Sequence, residues 1–256
     1  MNTFRHSGSY GDMIFSLPTV MALGGGTYLL REDMSPSMQR LLEAQPYLEV
    51  KVLSYADWKS TVPTYDLDKF RGSNETHVAK MHLTAFNCKF DFSSPYLFNI
   101  PANKVGRIAI QDTGRQRFPG HTVNWELIRP FLKDCVFIGN DHDYEGFIIN
   151  RKMEIKRHKC DDIYEFARVI AGCELFIGNM SIGQTIAEGL KKAYVVDLYI
   201  GKPQYPLTDH ASYVGLCPEI FYWHLGVPYG KNIVDKCACT IDKCCEGCCY
   251  DKHGWS

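Results

Sequence analysis

The chain has 256 residues, of which 45% are hydrophobic, so it can form a packed core and is not an intrinsically disordered protein. Lysine and arginine total 28 against 29 acidic residues, which gives a net charge of −1. The chain as a whole therefore does not attract nucleic acid, and only a local basic groove could bind it. No apolar run approaches the roughly 18 residues that span a membrane, and the N-terminal segment lacks a signal-peptide core, so we expect a cytoplasmic protein.

The first hundred residues alternate strand and helix patterns, as in an α/β domain. Strands are predicted at 2–6, 27–30 and 50–53, and helices at 13–23, 35–44 and 80–92. Pro18 predicts either a helix that starts near Ser16, with the proline in its first turn, or a bent helix. Residues 54–99 otherwise show no clear period. Turn residues at 100–104 indicate a boundary, so we assign a first domain to residues 1–103.

The second half repeats this alternation, which predicts a second domain over 104–230 and leaves a cysteine-rich tail at 231–256. Strands are predicted at 107–111, 135–138, 154–155, 174–177 and 194–198, helices at 123–132, 163–171 and 181–191, and an acidic loop at 140–146. The best-defined helix has apolar residues at i, i+3, i+4 and i+7 from Ile163. Asp162 and Glu165 fit a capping box before it, and Gly172 supplies a stop.

A polar loop at 178–183, with the sequence GNMSIG, leaves a predicted strand and opens a predicted helix. Ligands of parallel sheets bind beyond the carboxyl ends of the strands, and the N–H groups of helix N-termini attract phosphate. Ser181 and Thr185 could therefore donate their hydroxyl groups to phosphate, and Gly183 lets the backbone approach a ligand closely. The alternatives are an ordinary strand–helix turn and a Ser181 that only caps the helix.

Three segments resemble the heptosyltransferase-like glycosyltransferases, a family related to the ADP-heptose:LPS heptosyltransferases. They are His6–Leu23, which contains Gly11-Asp12 and Leu17-Pro18, Arg107–Gly114, and the loop 178–183 continued to Lys192, which aligns without gaps with the family's Gly-Asn-Asp-Ser-Gly-Pro-x-His segment. The resemblance implies the GT-B fold, in which two Rossmann-like domains face each other across a cleft. It also implies a nucleotide-sugar donor and a glycan, lipid-linked or other hydroxyl acceptor.

The resemblance assigns the acceptor side of the reaction to the N-terminal loop. Asp12 would be the base that removes the acceptor hydroxyl proton, with direct displacement at the anomeric carbon and no cofactor or essential metal. His6 and Tyr10 would contact the acceptor. The alternative for Asp12 is an aspartate that satisfies the free N–H groups at the start of a helix.

The resemblance assigns the donor side to the second half. Arg115 and Arg117 would stabilise the departing nucleoside diphosphate, unless they are ordinary solvated charges. Glu188 is similar to the glutamate with which many other GT-B enzymes hold the donor ribose; its alternative is a solvent-facing side chain.

Two residues depart from the family pattern. Met180 stands where the family has an aspartate that contacts the donor sugar, and Thr185 stands where it has a histidine. These departures leave two alternatives open. One is a nucleotide- or sugar-binding module that has lost catalysis, and the other is a sugar-nucleotide epimerase of similar fold.

The C-terminal tail holds six of the eleven cysteines within its last twenty residues. The pairs Cys237-x-Cys239 and Cys245-x-x-Cys248 can each chelate a tetrahedral ion, and four thiolates would form a closed structural zinc site. The alternatives are disulfides and a disordered, reactive tail. A cytoplasmic location favours free thiols or metal over disulfides.

Overall fold

The computed structural model describes residues 1–114, 125–197, 207 and 212–214, and it contains two parallel sheets. The first sheet consists of β1 (Thr3–Arg5), β2 (Gly26–Arg31), β3 (Leu48–Leu53) and β4 (Tyr65–Asp66), in the order β3-β2-β1-β4. The second consists of β5 (Ile108–Gln111), β6 (Cys135–Ile138), β7 (Lys156–His158), β8 (Leu175–Asn179), β9 (Tyr194–Asp197) and β10 (Ser212–Val214), in the order β10-β9-β8-β5-β6-β7. The predicted α/β protein with two parallel-sheet halves is confirmed.

The strand order identifies where each sheet can bind a ligand. Counted from its own first strand, the second sheet runs 3-2-1-4-5-6, which is the order of dinucleotide-binding folds. The order reverses between β5 and β8, and the crevice beyond their carboxyl ends is the usual ligand site of such sheets. The first sheet reverses in the same way between β1 and β4.

Eight α-helices accompany the sheets in the described part of the chain. They are α1 (Tyr10–Phe15), α2 (Leu17–Ala22), α3 (Ser35–Glu43), α4 (Tyr55–Ser60), α5 (Val78–Ala85), α6 (Asp141–Arg151), α7 (Ile163–Gly172) and α8 (Ile182–Leu190), with 3-10 helices at Leu67–Gly72 and Trp125–Phe131. None of the helices among these residues has the length and hydrophobicity of a transmembrane segment.

Local sequence signals placed most of these elements within one or two residues. The first helical pattern breaks at Ser16, and Pro18 lies in the first turn of α2, as one of the two predictions for it stated. The predicted loop at 140–146 is wrong, because this segment forms most of α6. Its start is stabilised by Asn140, whose Oδ1 accepts a hydrogen bond from the Asp143 N–H at 2.7 Å.

The two halves pack directly against each other and share one hydrophobic cluster. Helix α3 packs on α7, and α1 packs on α8. The segment before the predicted boundary joins both sides: the Tyr96 carbonyl accepts from Tyr47 Oη at 2.7 Å, and the Tyr96 N–H donates to the Gly189 carbonyl at 3.0 Å. The packing therefore fixes how the carboxyl edges of the two sheets face each other. The domain limits at residues 103 and 230 stay predictions.

Candidate functional site

A cleft of about 1310 Å³ lies between the two halves, beyond the carboxyl ends of β1, β5 and β8. From the first half it is lined by Ser9, Tyr10, Gly11, Asp12, Phe15, Phe70, Arg71, Glu75, Thr76, Val78 and Met81. From the second half it is lined by Gln111, Thr113, Gly114, Asn140, His142, Asp143, Met180, Ser181, Ile182, Gln184 and Thr185. Its size exceeds the roughly 300–1,000 Å³ of a typical small-molecule site, so it has room for more than one substrate group.

Asp12 lies on the first-half wall of this cleft, in the first turn of α1. Its Oδ2 accepts from the Ser9 N–H at 3.3 Å, and Ser9 Oγ accepts from the Asp12 N–H at 3.4 Å, which completes a capping box. Its Oδ1 makes no hydrogen bond to any described residue. The helix-start role is thus present, and the Asp12 side chain also lines the cleft.

Helix α1 contacts the second half of the chain where α8 begins. A Cβ atom added at Gly11, the neighbour of Asp12, would lie 3.5 Å from Thr185 Oγ1. The predicted base and the predicted phosphate-binding helix are therefore adjacent, although Asp12 and Thr185 are separated by more than half of the chain.

His6 lies beneath the cleft and does not line it. The side chain is buried, its Nδ1 accepts from the Gly8 N–H at 2.8 Å, and its Nε2 is 3.3 Å from Nε2 of His82. Burial lowers the pKa of His6, although Asp68 and Asp12 oppose this shift. Both ring nitrogens are used inside the protein, so the structure gives no support to the predicted acceptor contact of His6. Tyr10, by contrast, lines the cleft and is half-buried.

The entrance of α8 is capped by a residue that the sequence analysis missed. Gln111, at the end of β5, accepts with its Oε1 from Ser181 Oγ at 2.5 Å and from the Gly183 N–H at 3.1 Å. Thr185 Oγ1 donates to the Ser181 carbonyl at 3.3 Å. The hydroxyl groups predicted to bind phosphate, and the Gly183 N–H, are therefore already used within the protein. Ser181 is the N-cap residue of α8, as the alternative predicted, but its side chain makes no capping bond to the helix.

The loops after β5 and β8 are joined by Asn179. Its Oδ1 accepts from the Thr113 N–H at 3.3 Å and from Thr113 Oγ1 at 3.2 Å, and its Nδ2 donates to the Thr113 carbonyl at 2.6 Å. These contacts fix the two loops at the point where the strand order reverses. Arg115 and Arg117, which follow on the first of these loops, lie outside the described residues.

Charge is unevenly distributed in the described part of the cleft. Arg71 is its single arginine, against the carboxylates of Asp12, Glu75 and Asp143. Met180, in the position where the resembling family has an aspartate, is only 6% exposed and presents an apolar surface. The described walls alone thus offer little positive charge to a diphosphate.

Glu188 belongs to α8 but does not line the cleft. It is 2% exposed, its Oε1 pairs with Lys191 Nζ at 2.7 Å, and its Oε2 accepts from Tyr194 Oη at 2.5 Å. The predicted solvent-facing alternative is wrong. The structure also gives no support to the predicted ribose contact, because both carboxylate oxygens have partners within the second half.

No group of three or more histidine, cysteine or acidic side chains among the described residues is placed to hold a metal ion. The predicted zinc ligands Cys237, Cys239, Cys245 and Cys248 lie outside the described residues.

Comparison with known proteins identifies the fold. No family model and no curated protein matches the sequence. Among solved structures, E. coli heptosyltransferase WaaC with ADP-2-deoxy-2-fluoro heptose matches with a TM-score of 0.57 and 13% identity, over 86% of this chain and 94% of that one. The chain has the heptosyltransferase fold. A glycosyl transferase family 9 structure from Veillonella parvula (TM-score 0.56, 13% identity, 90% and 91% covered) agrees. E. coli ADP-heptose lps heptosyltransferase II also has this fold, with a TM-score of 0.54 and 13% identity over 88% of this chain and 98% of that one. The resemblance seen in the sequence is thus confirmed for the fold.

Proposed function

We propose that the protein is a glycosyltransferase of GT-B type that transfers a sugar from a nucleotide-sugar donor to a hydroxyl acceptor. One observation carries this proposal. Asp12 lines the same cleft as the carboxyl ends of β5 and β8, between which the strand order reverses, in a fold shared with glycosyltransferases. A base on one wall and a nucleotide-binding edge on the other are the two parts that glycosyl transfer needs.

The proposed reaction is a direct displacement. The acceptor oxygen bonds to the anomeric carbon as its proton passes to the carboxylate of Asp12. The bond from that carbon to the phosphate oxygen breaks, and the nucleoside diphosphate leaves with the electron pair. Negative charge then grows on the diphosphate, where the N-terminus of α8 and the basic residues Arg115 and Arg117 would stabilise it. We assign no metal to this step.

The acceptor would lie along the first-half wall, where Tyr10 and Arg71 line the cleft. We propose a glycan or lipid-linked sugar as the acceptor class, in a cytoplasmic setting. Nucleic acid fits less well, because three carboxylates line the described part of this cleft.

Met180 favours a second candidate function. An apolar side chain where the resembling family has a donor-contacting aspartate fits a nucleotide- or sugar-binding protein without turnover. A sugar-nucleotide epimerase of the same fold is a third, and it would need no acceptor.

A ligand-binding screen followed by a turnover assay distinguishes these candidate functions. Nucleotide sugars and free nucleoside diphosphates would first be tested by thermal shift, since a ligand at 100 times its dissociation constant stabilises by about 2.7 kcal/mol. Donors that bind would then be incubated with acceptor glycans, and released nucleoside diphosphate would be measured. Acceptor-dependent release supports the transferase, and binding without release supports the binding protein. Conversion of the donor without acceptor indicates an epimerase, and no stabilisation by any donor contradicts all three.

A further inference from the structure

Gln111 lines the cleft, and its hydrogen bonds define the orientation of its amide group. It is 5% exposed and lies at the end of β5, where the strand order of the second sheet reverses. The Gly183 N–H can only donate, so the Gln111 atom 3.1 Å from it must be the amide oxygen. Ser181 Oγ donates to the same oxygen. The amide nitrogen is therefore the other terminal atom of the side chain, and it contacts neither of these two groups.

The amide nitrogen of Gln111 is a donor without a partner among the residues that the structure describes. Gln111 lines the cleft, and its Nε2 makes no hydrogen bond to any described residue. The hydroxyls of Ser181 and Thr185, which the sequence suggested as donors, are already used. Gln111 Nε2 thus provides the donor that those two side chains do not.

We propose that Gln111 is a specificity-determining residue, whose Nε2 donates to a diphosphate oxygen bound at the N-terminus of α8. The inference rests on the proposed function and extends it. A phosphate oxygen accepts without donating, which matches a nitrogen that only donates, and the nine-residue helix α8 adds a partial positive charge. A ligand group with its own N–H or O–H directed at this nitrogen would leave both donors unpaired.

The identity of the side chain supports this reading. A glutamate at position 111 could accept the same two hydrogen bonds from Ser181 and Gly183, and its charge would stabilise the start of α8 more strongly. It would also place a negative oxygen where Nε2 now lies, against the ligand. Glutamine keeps the weaker cap and retains the donor.

The Gln111→Glu variant separates capping from ligand binding. At pH 8, where the new carboxylate is ionised, we expect the variant to remain folded, because both hydrogen bonds to the start of α8 can persist. Affinity for a nucleoside diphosphate and for inorganic pyrophosphate, measured by calorimetry on the full chain, should fall by about 10- to 100-fold. Affinity for the corresponding nucleoside should not change. Gln111→Met removes both hydrogen-bonding functions without adding charge, so it should also weaken pyrophosphate binding, with a lower melting temperature.

Asn140→Asp is the matched control. It adds the same charge to the same cleft and keeps the oxygen that caps α6, while it gives up the hydrogen bond from Asn140 Nδ2 to Asp143. Its pyrophosphate affinity should stay close to that of the wild type. An equal loss in Asn140→Asp would show a general charge effect and overturn the inference, as would a wild-type protein that binds no pyrophosphate.

The outcomes distinguish this inference from the proposed function. Unchanged diphosphate affinity in Gln111→Glu would overturn the role of Gln111 but would not contradict the proposed nucleotide-sugar transferase. If the wild type binds pyrophosphate but none of ADP, UDP and GDP, and Gln111→Glu loses pyrophosphate, the anion contact stands. That result would contradict the proposed nucleotide-sugar donor instead.

Discussion

Replacing Asp12 with asparagine tests the proposed reaction at one oxygen atom. Asparagine keeps an oxygen that can accept from the Ser9 N–H, so the capping box at the start of α1 can persist. The hydrogen bond it must keep is long, at 3.3 Å, and contributes little. The change removes a negative charge near a helix N-terminus, which is worth about 0.3–1 kcal/mol. We therefore expect a folded protein that is at most slightly less stable.

The effect on turnover should be much larger. General-base catalysis typically contributes about 10²–10⁴ in rate, which corresponds to about 2.7–5.4 kcal/mol in the activation barrier. This exceeds the expected loss of stability, so the two effects can be separated. The assay is release of nucleoside diphosphate at saturating donor and acceptor, with donor affinity measured independently. Donor affinity should stay unchanged, because Asp12 acts on the acceptor.

Asp143→Asn is the matched control for this experiment. Asp143 holds the same position in the first turn of α6 that Asp12 holds in α1, and it also lines the cleft. It is likewise bonded to its helix cap, with Oδ2 accepting from Asn140 Nδ2 at 2.8 Å. We assign it no role in the reaction, so its saturated rate should be close to wild type. Wild-type turnover in Asp12→Asn, or an equal loss in both variants, would refute the assignment of the base.

Three further predictions address stability and the tail. Glu188→Ala should lower the free energy of unfolding in urea by about 3 kcal/mol, because it leaves the Lys191 side chain, which is only 13% exposed, without its carboxylate partner. Glu174→Ala, which breaks the exposed pair with Arg107, should cost less than about 1 kcal/mol, and equal losses would contradict the difference in burial. Burial lowers the pKa of His77 to about 3, so the unfolded chain binds a proton that the folded chain does not, and stability falls as the pH drops below about 6.5. His77→Asn keeps a cap for α5 and should reduce the loss between pH 7.5 and 5.5 by about 1 kcal/mol, whereas an unchanged loss would assign it to other groups. For the tail we predict one zinc per chain, bound by Cys237, Cys239, Cys245 and Cys248. Elemental analysis of protein purified without chelator should find it in the full chain and not after removal of residues 236–256; metal-free full-length protein would contradict this.

The elements that could be predicted from the sequence are those with a strong local signal. Helix α7 has a continuous apolar face and an N-cap, Asp162, whose side chain accepts from the Glu165 N–H. Strand β6 is a short, wholly buried apolar run, so both were placed closely. Helix α6 was missed because Phe147 is its single fully buried residue, which leaves no apolar period to detect. Strand β4, with two residues, depends on its pairing with β1, which lies some sixty residues earlier in the chain.

Tertiary contacts determine which polar side chains near the cleft are available to a ligand. Ser181, Thr185 and Glu188 have the residue types and spacing of a ligand-binding helix, and the structure gives each of them a protein partner. The partner of Ser181 is 70 residues away in sequence, so no local pattern could show that its hydroxyl is occupied. A signal was nevertheless present in the polar residue that ends the apolar strand β5.

Parallel sheets place the ends of their strands at one edge, and a polar side chain there faces either a helix entrance or a ligand. Gln111 faces both, since its oxygen contacts the start of α8 and its nitrogen lies at the cleft. The shared core of the two halves holds this edge against the wall that carries Asp12. A substitution in that core, remote from the cleft, should therefore alter turnover through the separation of base and donor, because a misplacement of about 1 Å can cost roughly a hundredfold in rate.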